Sequence, residues 1–219
     1  MEQLSCPLCG ASGPTFYHRD RIRSYWRCRS CALVFVPPAA RVDAVTEKAR
    51  YDQHQNDPAD PRYRQFLAHL TDPLIARVPR GAVGLDFGSG PGPALGGMLT
   101  EAGLRVHLYD VFYAPDPAVW HRRYDFITLS EVIEHLHHPR VELNRLFSVL
   151  APGGYLATMT RWVDQDGSFT RSRYIRDPTH VCFYSATTCR WIAHQWRARL
   201  ELPDTNVAIF QTSDALSGA

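Results

Sequence analysis

Nine residues, Gly84-Leu85-Asp86-Phe87-Gly88-Ser89-Gly90-Pro91-Gly92, constrain the fold of this chain more than any other stretch. A carboxylate closes a short apolar run, three glycines follow at alternate positions, and a helix-compatible segment, 94–102, comes next. Glycines between a strand and a helix allow a tight turn and let a ligand approach with no Cβ in the way. The helix N-terminus beyond them offers unpaired N–H groups. The dinucleotide fingerprint G-x-G-x-x-G needs glycine at position 93, where this chain has Pro93. Asp86 would also repel a pyrophosphate, whereas it suits a cationic or hydroxyl-rich ligand.

The chain beyond the loop continues the pattern. Arg105-Val-His-Leu-Tyr-Asp110 reads as a second strand, and its terminal acid lies 20 residues past Gly90. That is where a ribose-binding carboxylate belongs in a strand–helix–strand nucleotide unit. Tyr124 to Ser130 reads as the next parallel strand, yet only 14 residues separate Asp110 from Asp125. A helix–strand–helix insertion does not fit, since one crossover already takes a dozen or more residues. The expectation is that the third strand is absent and the second becomes an edge. The connection then runs extended past that edge, with Pro115 and Pro117 keeping it unpaired. Glu131-Val-Ile-Glu-His-Leu136, a helix opened by Pro139, Leu150-Ala-Pro-Gly-Gly154 and a strand over 155–160 complete the order.

The acid followed by Gly-x-Gly-x-Gly, the "vieHl" segment and the Leu-x-Pro-Gly-Gly turn together resemble the class I S-adenosylmethionine-dependent methyltransferases, over residues 83–160. The resemblance implies an α/β, Rossmann-like sheet, here lacking strand three, and S-adenosylmethionine as cofactor. The cofactor-binding set it implies is Asp86, Gly88, Ser89, Gly90, Gly92, Asp110, Val111, Phe112, Ser130 and Glu131. The family reads adenine after strand three, so Val111, Phe112 and Tyr113 are expected to supply a substitute wall. Tyr51 and His54 lie where the family often closes over the methionine end, although the residues themselves read first as an ordinary exposed connector.

Candidates for handling the acceptor lie beyond the carboxyl ends of the strands. His135 sits on the turn after the 124–130 strand, and Asp177-Pro-Thr-His180-Val-Cys-Phe-Tyr184 resembles a His-x-x-Phe-Tyr segment of bacterial small-molecule members. His180 and His135 are candidate general bases, and Tyr184 a candidate for orienting the acceptor; each has a structural alternative, as a satisfied buried side chain or loop anchor. Residues 161–177 carry Arg161, Trp162, Arg171, Arg173, Tyr174 and Arg176, a possible lid for an acidic acceptor or simply a solvated loop. A helix over 185–197, strand-like stretches 200–202 and 207–211 and a flexible tail, 213–219, finish the chain.

Four of the six cysteines form two C-x₂-C pairs, Cys6/Cys9 and Cys28/Cys31, with 18 residues between them. That spacing predicts a closed four-thiolate structural zinc ribbon over 1–36; clustered thiols of this kind suit a reducing, cytoplasmic setting. Arg19, Arg21, Arg23, Arg27 and Arg29 share one parity, which on a strand places all five on one face, either solvated or holding phosphates. Pro37-Pro38 opens a linker, 37–60, and Asp60-Pro61 caps the helix that leads into the 61–212 methyltransferase domain; Pro73 is expected to kink or divide that helix. No apolar run approaches the roughly 18 residues of a membrane span, and the N-terminus lacks the features of a secretory signal. The expected function is methyl transfer to a small-molecule or carrier-linked acceptor. The alternative is an RNA-directed protein that uses the basic ribbon.

Overall fold

The computed structural model describes residues 4–53, 56–163 and 169–214. The amino-terminal ribbon contributes β1 (Thr15–Arg19), β2 (Ser24–Arg27) and β3 (Val34–Phe35), joined as an antiparallel meander. Helices α1 (Ala44–Tyr51) and α2 (Pro61–Ile75) follow. Asp43 caps α1 by accepting from the Thr46 N–H, and Asp60 caps α2 from the Arg62 N–H, with Pro61 in the first turn as its fixed φ favours. Pro73 does not divide α2, which continues through it to Ile75.

The second sheet is built from β4 (Val83–Phe87), β5 (Arg105–Tyr109), β6 (Tyr124–Ser130), β7 (Leu150–Met159), β9 (Arg199–Asp204) and β10 (Val207–Gln211). Helices α3 (Ala94–Glu101), α4 (Pro139–Val149) and α5 (Ala186–Gln195) lie between these strands in sequence. Strand order is β5-β4-β6-β7-β10-β9, with β4 to β7 parallel and the terminal hairpin antiparallel. Among the described residues no strand lies outside β5, so the second strand is an edge, in keeping with its short connection. Alternation along β6 divides the interior. Phe126 packs with Leu67, Leu70, Leu95 and Leu99 of α2 and α3, while Ile127 and Leu129 pack with Leu143, Leu146 and Ile192 of α4 and α5. Each such fully buried leucine stabilises the fold by about 1.5–3 kcal/mol.

The connection from β5 to β6 does not run extended along the edge. Asp110 and Ala114 form an antiparallel bridge, and Pro117–His121 coil into a short 3-10 turn. Val119 is buried, and the Trp120 ring lies 5.0 Å from Tyr109 and 6.0 Å from Phe87, centroid to centroid. The segment therefore lies across the face of β4 and β5, because its two apolar side chains gain more by covering those rings than by facing water.

The ribbon is bonded into the rest of the molecule. A two-residue strand, β8 (Cys182–Phe183), pairs with β3 and completes a four-stranded sheet whose other strands all come from the first 36 residues. Tyr25, Leu33, Phe35 and the ribbon cysteines share one hydrophobic core with Phe183, Tyr184 and α4. The five arginines do not share a face. A bulge between Phe16 and His18 and a turn over 20–23 break the two-residue period, so Arg19, Arg21, Arg27 and Arg29 are exposed and Arg23 is buried. The Arg23 guanidinium donates to the carbonyls of Ile175 and Asp177 (2.7 Å each), Pro178 (2.9 Å) and His180 (3.1 Å). Tyr25 Oη adds a contact to the Ile175 carbonyl at 2.8 Å.

Replacing Arg23 with alanine leaves the Pro178 and His180 carbonyls without that donor, and the Ile175 and Asp177 carbonyls with only the Tyr25 hydroxyl and the His180 N–H. A destabilisation of about 3 kcal/mol is expected, measured by denaturant unfolding, with earlier proteolysis of the 169–180 segment. Lysine should recover only part of it, since an ammonium lacks the planar fork.

Candidate functional site

The glycine loop is held open by backbone bonds. Gly88 and Ser89 N–H groups both donate to the Tyr109 carbonyl, at 2.7 and 3.2 Å, and Gly90 N–H donates to Asp110 Oδ2 at 3.0 Å. Asp110 Oδ1 accepts from the N–H groups of Phe112 and Tyr113, at 2.8 and 3.1 Å. One carboxylate thus ties the loop to the turn after β5. Gly88 has φ +78°, and a Cβ there would lie 2.4 Å from the Val132 side chain. At Gly92 a Cβ would lie 2.7 Å from the Asn56 carbonyl oxygen, where the lead-in segment passes over the loop.

Beside the loop lies a cavity of ≈ 690 Å³. Of the residues predicted to bind cofactor, Gly88, Ser89, Gly90, Asp110, Val111, Phe112, Ser130 and Glu131 line it, as does Tyr113. Asp86 and Gly92 do not. Asp86 is 3% exposed and lies beneath the loop, where Oδ1 accepts from Thr128 Oγ1 at 2.8 Å. Burial raises its pKa to about 6 against hydrogen bonds from Thr128 and Gly96 that lower it. The carboxylate sits beneath the loop because β4 alternates: Leu85 and Phe87 face the α4 side, so Asp86 faces α3. Tyr51 on α1 closes the cavity from above, its ring 5.2 Å from that of His135 and 5.9 Å from that of Phe112. His54 lies outside the described residues.

The far wall gathers the candidate bases. His135 and His180 line the cavity with ring centroids 4.7 Å apart. His135 Nδ1 bonds the Thr179 carbonyl at 3.1 Å and His180 Nδ1 bonds the Tyr174 carbonyl at 2.8 Å, so each Nδ1 carries the proton of that bond. Tyr184 is not with them. It is buried in the core behind the wall and its hydroxyl donates to the Ile133 carbonyl at 3.2 Å. An extended stretch through β8, rather than a helical turn, links positions 180 and 184, which sets them roughly 13 Å apart along the chain. The lid arginines also stay out: Arg161, Arg171, Arg173 and Arg176 are exposed and line no part of the cavity, while Phe169 and Ile175 anchor the described part of that loop. Asp177 ties the loop to α1, accepting from Arg50 Nε and Nη2 at 3.0 Å through Oδ2 and from Thr179 through Oδ1.

Glu134 is the residue the sequence analysis passed over. It is fully buried beside the two imidazoles, and neither carboxylate oxygen meets a hydrogen-bond partner of good geometry. The hydroxyls of Thr160 and Tyr174 lie beside it and bond one another at 2.6 Å. Burial raises its pKa, and burial together with the adjacent Glu134 raises that of Glu131 to about 9. Glu131 holds φ +52°, a left-handed conformation that costs a non-glycine residue roughly 1 kcal/mol. The signal was present as Glu-x-x-Glu-His in one turn after a strand.

A second cluster lies in the ribbon. The sulfurs of Cys6, Cys9, Cys28 and Cys31 all lie within 4.8 Å of one another, with Cys6–Cys31 at 3.5 Å and Cys9–Cys28 at 3.4 Å. These separations are too long for disulfides. They approach the edge of about 3.8 Å that a tetrahedron of thiolates 2.3 Å from one ion would have. Gly10 (φ +76°) and Ala32 (φ +60°) close the two knuckles.

Fold and site together define a methyltransferase. The chain matches the model of a family described as "Methyltransferase domain" over residues 52–196, more than half its length, and it belongs to that family. It is an S-adenosylmethionine-dependent methyltransferase. Among solved structures, 1,6-didemethyltoxoflavin-N1-methyltransferase of Burkholderia thailandensis, with 1,6-didemethyltoxoflavin and S-adenosylhomocysteine bound, superposes with a TM-score of 0.52 at 15% identity, over 91% of this chain and 100% of that one. An O-methyltransferase family protein of the same organism gives 0.48 at 15% identity, over 85% and 66%. At these identities the likeness is one of fold. No curated protein sequence matches the chain.

Asp86 binds its proton more tightly in the folded chain than its ordinary carboxylate pKa allows. Its contribution therefore favours the fold in acid and is lost as pH rises through about 6. Asp86→Asn should be more stable than the parent near about pH 8, by up to about 3 kcal/mol, with the advantage gone near about pH 3.5. Thermal unfolding across that range checks this.

Proposed function

We propose that the chain transfers the methyl group of S-adenosylmethionine to a small-molecule acceptor held in the cavity between the glycine loop and the His135–His180 wall. The observation that carries this reading is the continuity of that cavity, which runs from Gly88–Pro91 at one end to His135 and His180 at the other. When bound, the cofactor supplies an electrophilic methyl on a sulfonium. The chain's own part is alignment, and holding two reactants in line is worth several kcal/mol by entropy alone.

In this reading the buried Ser89 hydroxyl, which has no hydrogen-bond partner in the protein, and the loop N–H groups meet the cofactor's polar ends. Asp110, 9% exposed, faces the ribose with the lone pairs its backbone donors leave. Val111, Phe112 and Tyr113 cover the purine in place of the residues that follow a third strand. Tyr51 and Glu47 of α1 shut out water from above. His135 and His180 meet the acceptor. An acceptor small enough for this cavity accords with the 1,6-didemethyltoxoflavin bound to the Burkholderia thailandensis neighbour. The Cys6, Cys9, Cys28 and Cys31 cluster holds a structural zinc in the same reading.

Calorimetry with S-adenosylhomocysteine is expected to give one site per chain. Gly88→Val should abolish it, because the new side chain meets Val132. Asp110→Ala should weaken it at least tenfold, and Asp110→Asn less, since the amide oxygen still accepts from the loop. Undiminished binding in Gly88→Val would remove the proposed cradle. Elemental analysis should find zinc that Cys28→Ser loses along with much of the unfolding cooperativity.

A further inference from the structure

We propose that Glu134, His135 and His180, joined by Glu131, form a divalent metal site in the wall of the cavity, distinct from the cysteine cluster, and that it selects an oxygen acceptor. The ligand atoms of Glu134, His135 and His180 all lie within 4.8 Å of one another, a spacing that small side-chain rotations close onto one ion. Glu134 brings a fully buried carboxylate whose two oxygens have no partner of good geometry within the protein. An orphaned buried carboxylate costs several kcal/mol, and a cation relieves that cost. Each imidazole bonds a backbone carbonyl through Nδ1, the outer hydrogen bond that commonly orients a metal-bound histidine. The left-handed backbone at Glu131 is a further sign, because strain persists where a side chain must be aimed. That carboxyl lines the cavity beside Glu134 and can serve as the fourth ligand.

Two imidazoles and two carboxylates make a mixed nitrogen and oxygen set, which suits Mn²⁺, Fe²⁺, Co²⁺ or Zn²⁺ better than Ca²⁺ and differs from the all-thiolate set of the ribbon. Protein ligands come from the wall side only, so positions remain open toward the cavity, where the acceptor lies in the reading above. That geometry favours an alcohol or phenol, above all one with a second oxygen next to the first. Its hydroxyl proton leaves to water when the oxygen meets the ion. The oxygen's lone pair then forms the C–O bond as the methyl–sulfur bond breaks, and the bonding pair stays on sulfur as the neutral thioether. His135 and His180 act as ligands in this scheme.

The choice of acceptor rests on the methyl-transfer reading; the ion site does not. The test is a titration of the full-length chain, with zinc in its ribbon, by Mn²⁺ followed by electron paramagnetic resonance, and repeated with Co²⁺. One ion per chain is expected beyond the ribbon zinc. Its affinity should fall at least tenfold in Glu134→Gln and in His180→Gln. S-adenosylhomocysteine calorimetry on the same samples reports whether each variant is folded, and His135→Gln serves if Glu134→Gln is not. No bound Mn²⁺ or Co²⁺ in a chain that binds S-adenosylhomocysteine would overturn the ion site and leave the cofactor reading standing. Unchanged ion affinity in folded variants would overturn it equally. An ion that binds as expected to a chain without S-adenosylhomocysteine affinity would support the site and strike the cofactor reading instead.

Discussion

A single guanidinium holds the far wall of the cavity in place. Arg23 leaves the ribbon and donates to four carbonyls of the 175–180 loop, satisfying them without a sheet partner beside the short 3-10 turn at 174–176. His180 ends that loop, and its neighbour Val181 carries the connection onward: its carbonyl accepts from Val36 N–H and its N–H donates to the Glu134 carbonyl, both at 2.9 Å. The ribbon, the loop and the turn after β6 are therefore bonded in series. Chemistry-bearing side chains on three separate stretches keep one geometry because their backbones share these donors and acceptors.

The parts of this protein that were legible in its sequence are those written in short-range pattern. The glycine spacing, the acid 20 residues beyond Gly90, the Asp60-Pro61 cap and the brevity of 111–123 each state a local requirement, and each has its structural counterpart. What was misjudged depends on partners far away in the chain. Parity placed Arg23 with four exposed arginines, but only the 175–180 carbonyls explain its burial. Tyr184 stood four residues from His180, yet the chain between them runs extended to pair β8 with β3, which carries Tyr184 away into the core. Asp86 was visible as an acid before glycines; that it faces inward follows from which side of β4 the α4 core claims. Glu134 went unremarked because burial of a carboxylate cannot be read from a motif that also places it at a turn.

The shortened connection after β5 shows how a sheet does without a strand. An edge left bare would expose rings on β4 and β5, and Trp120 covers them while Arg145 stacks over Trp120 at 3.5 Å. The same Asp110 that begins the connection also bonds the glycine loop. The sheet thus ends at β5 without loosening the glycine loop.

The pairing of β3 with β8 also sets an order of events on the ribosome. β1 to β3 are made roughly 150 residues before β8, so their sheet waits for its fourth strand while most of the α/β domain is synthesised. Until then Val34 and Phe35, both fully buried in the finished protein, lack their antiparallel partner. The small ribbon comes first in the chain and is among the last parts of the protein to be complete.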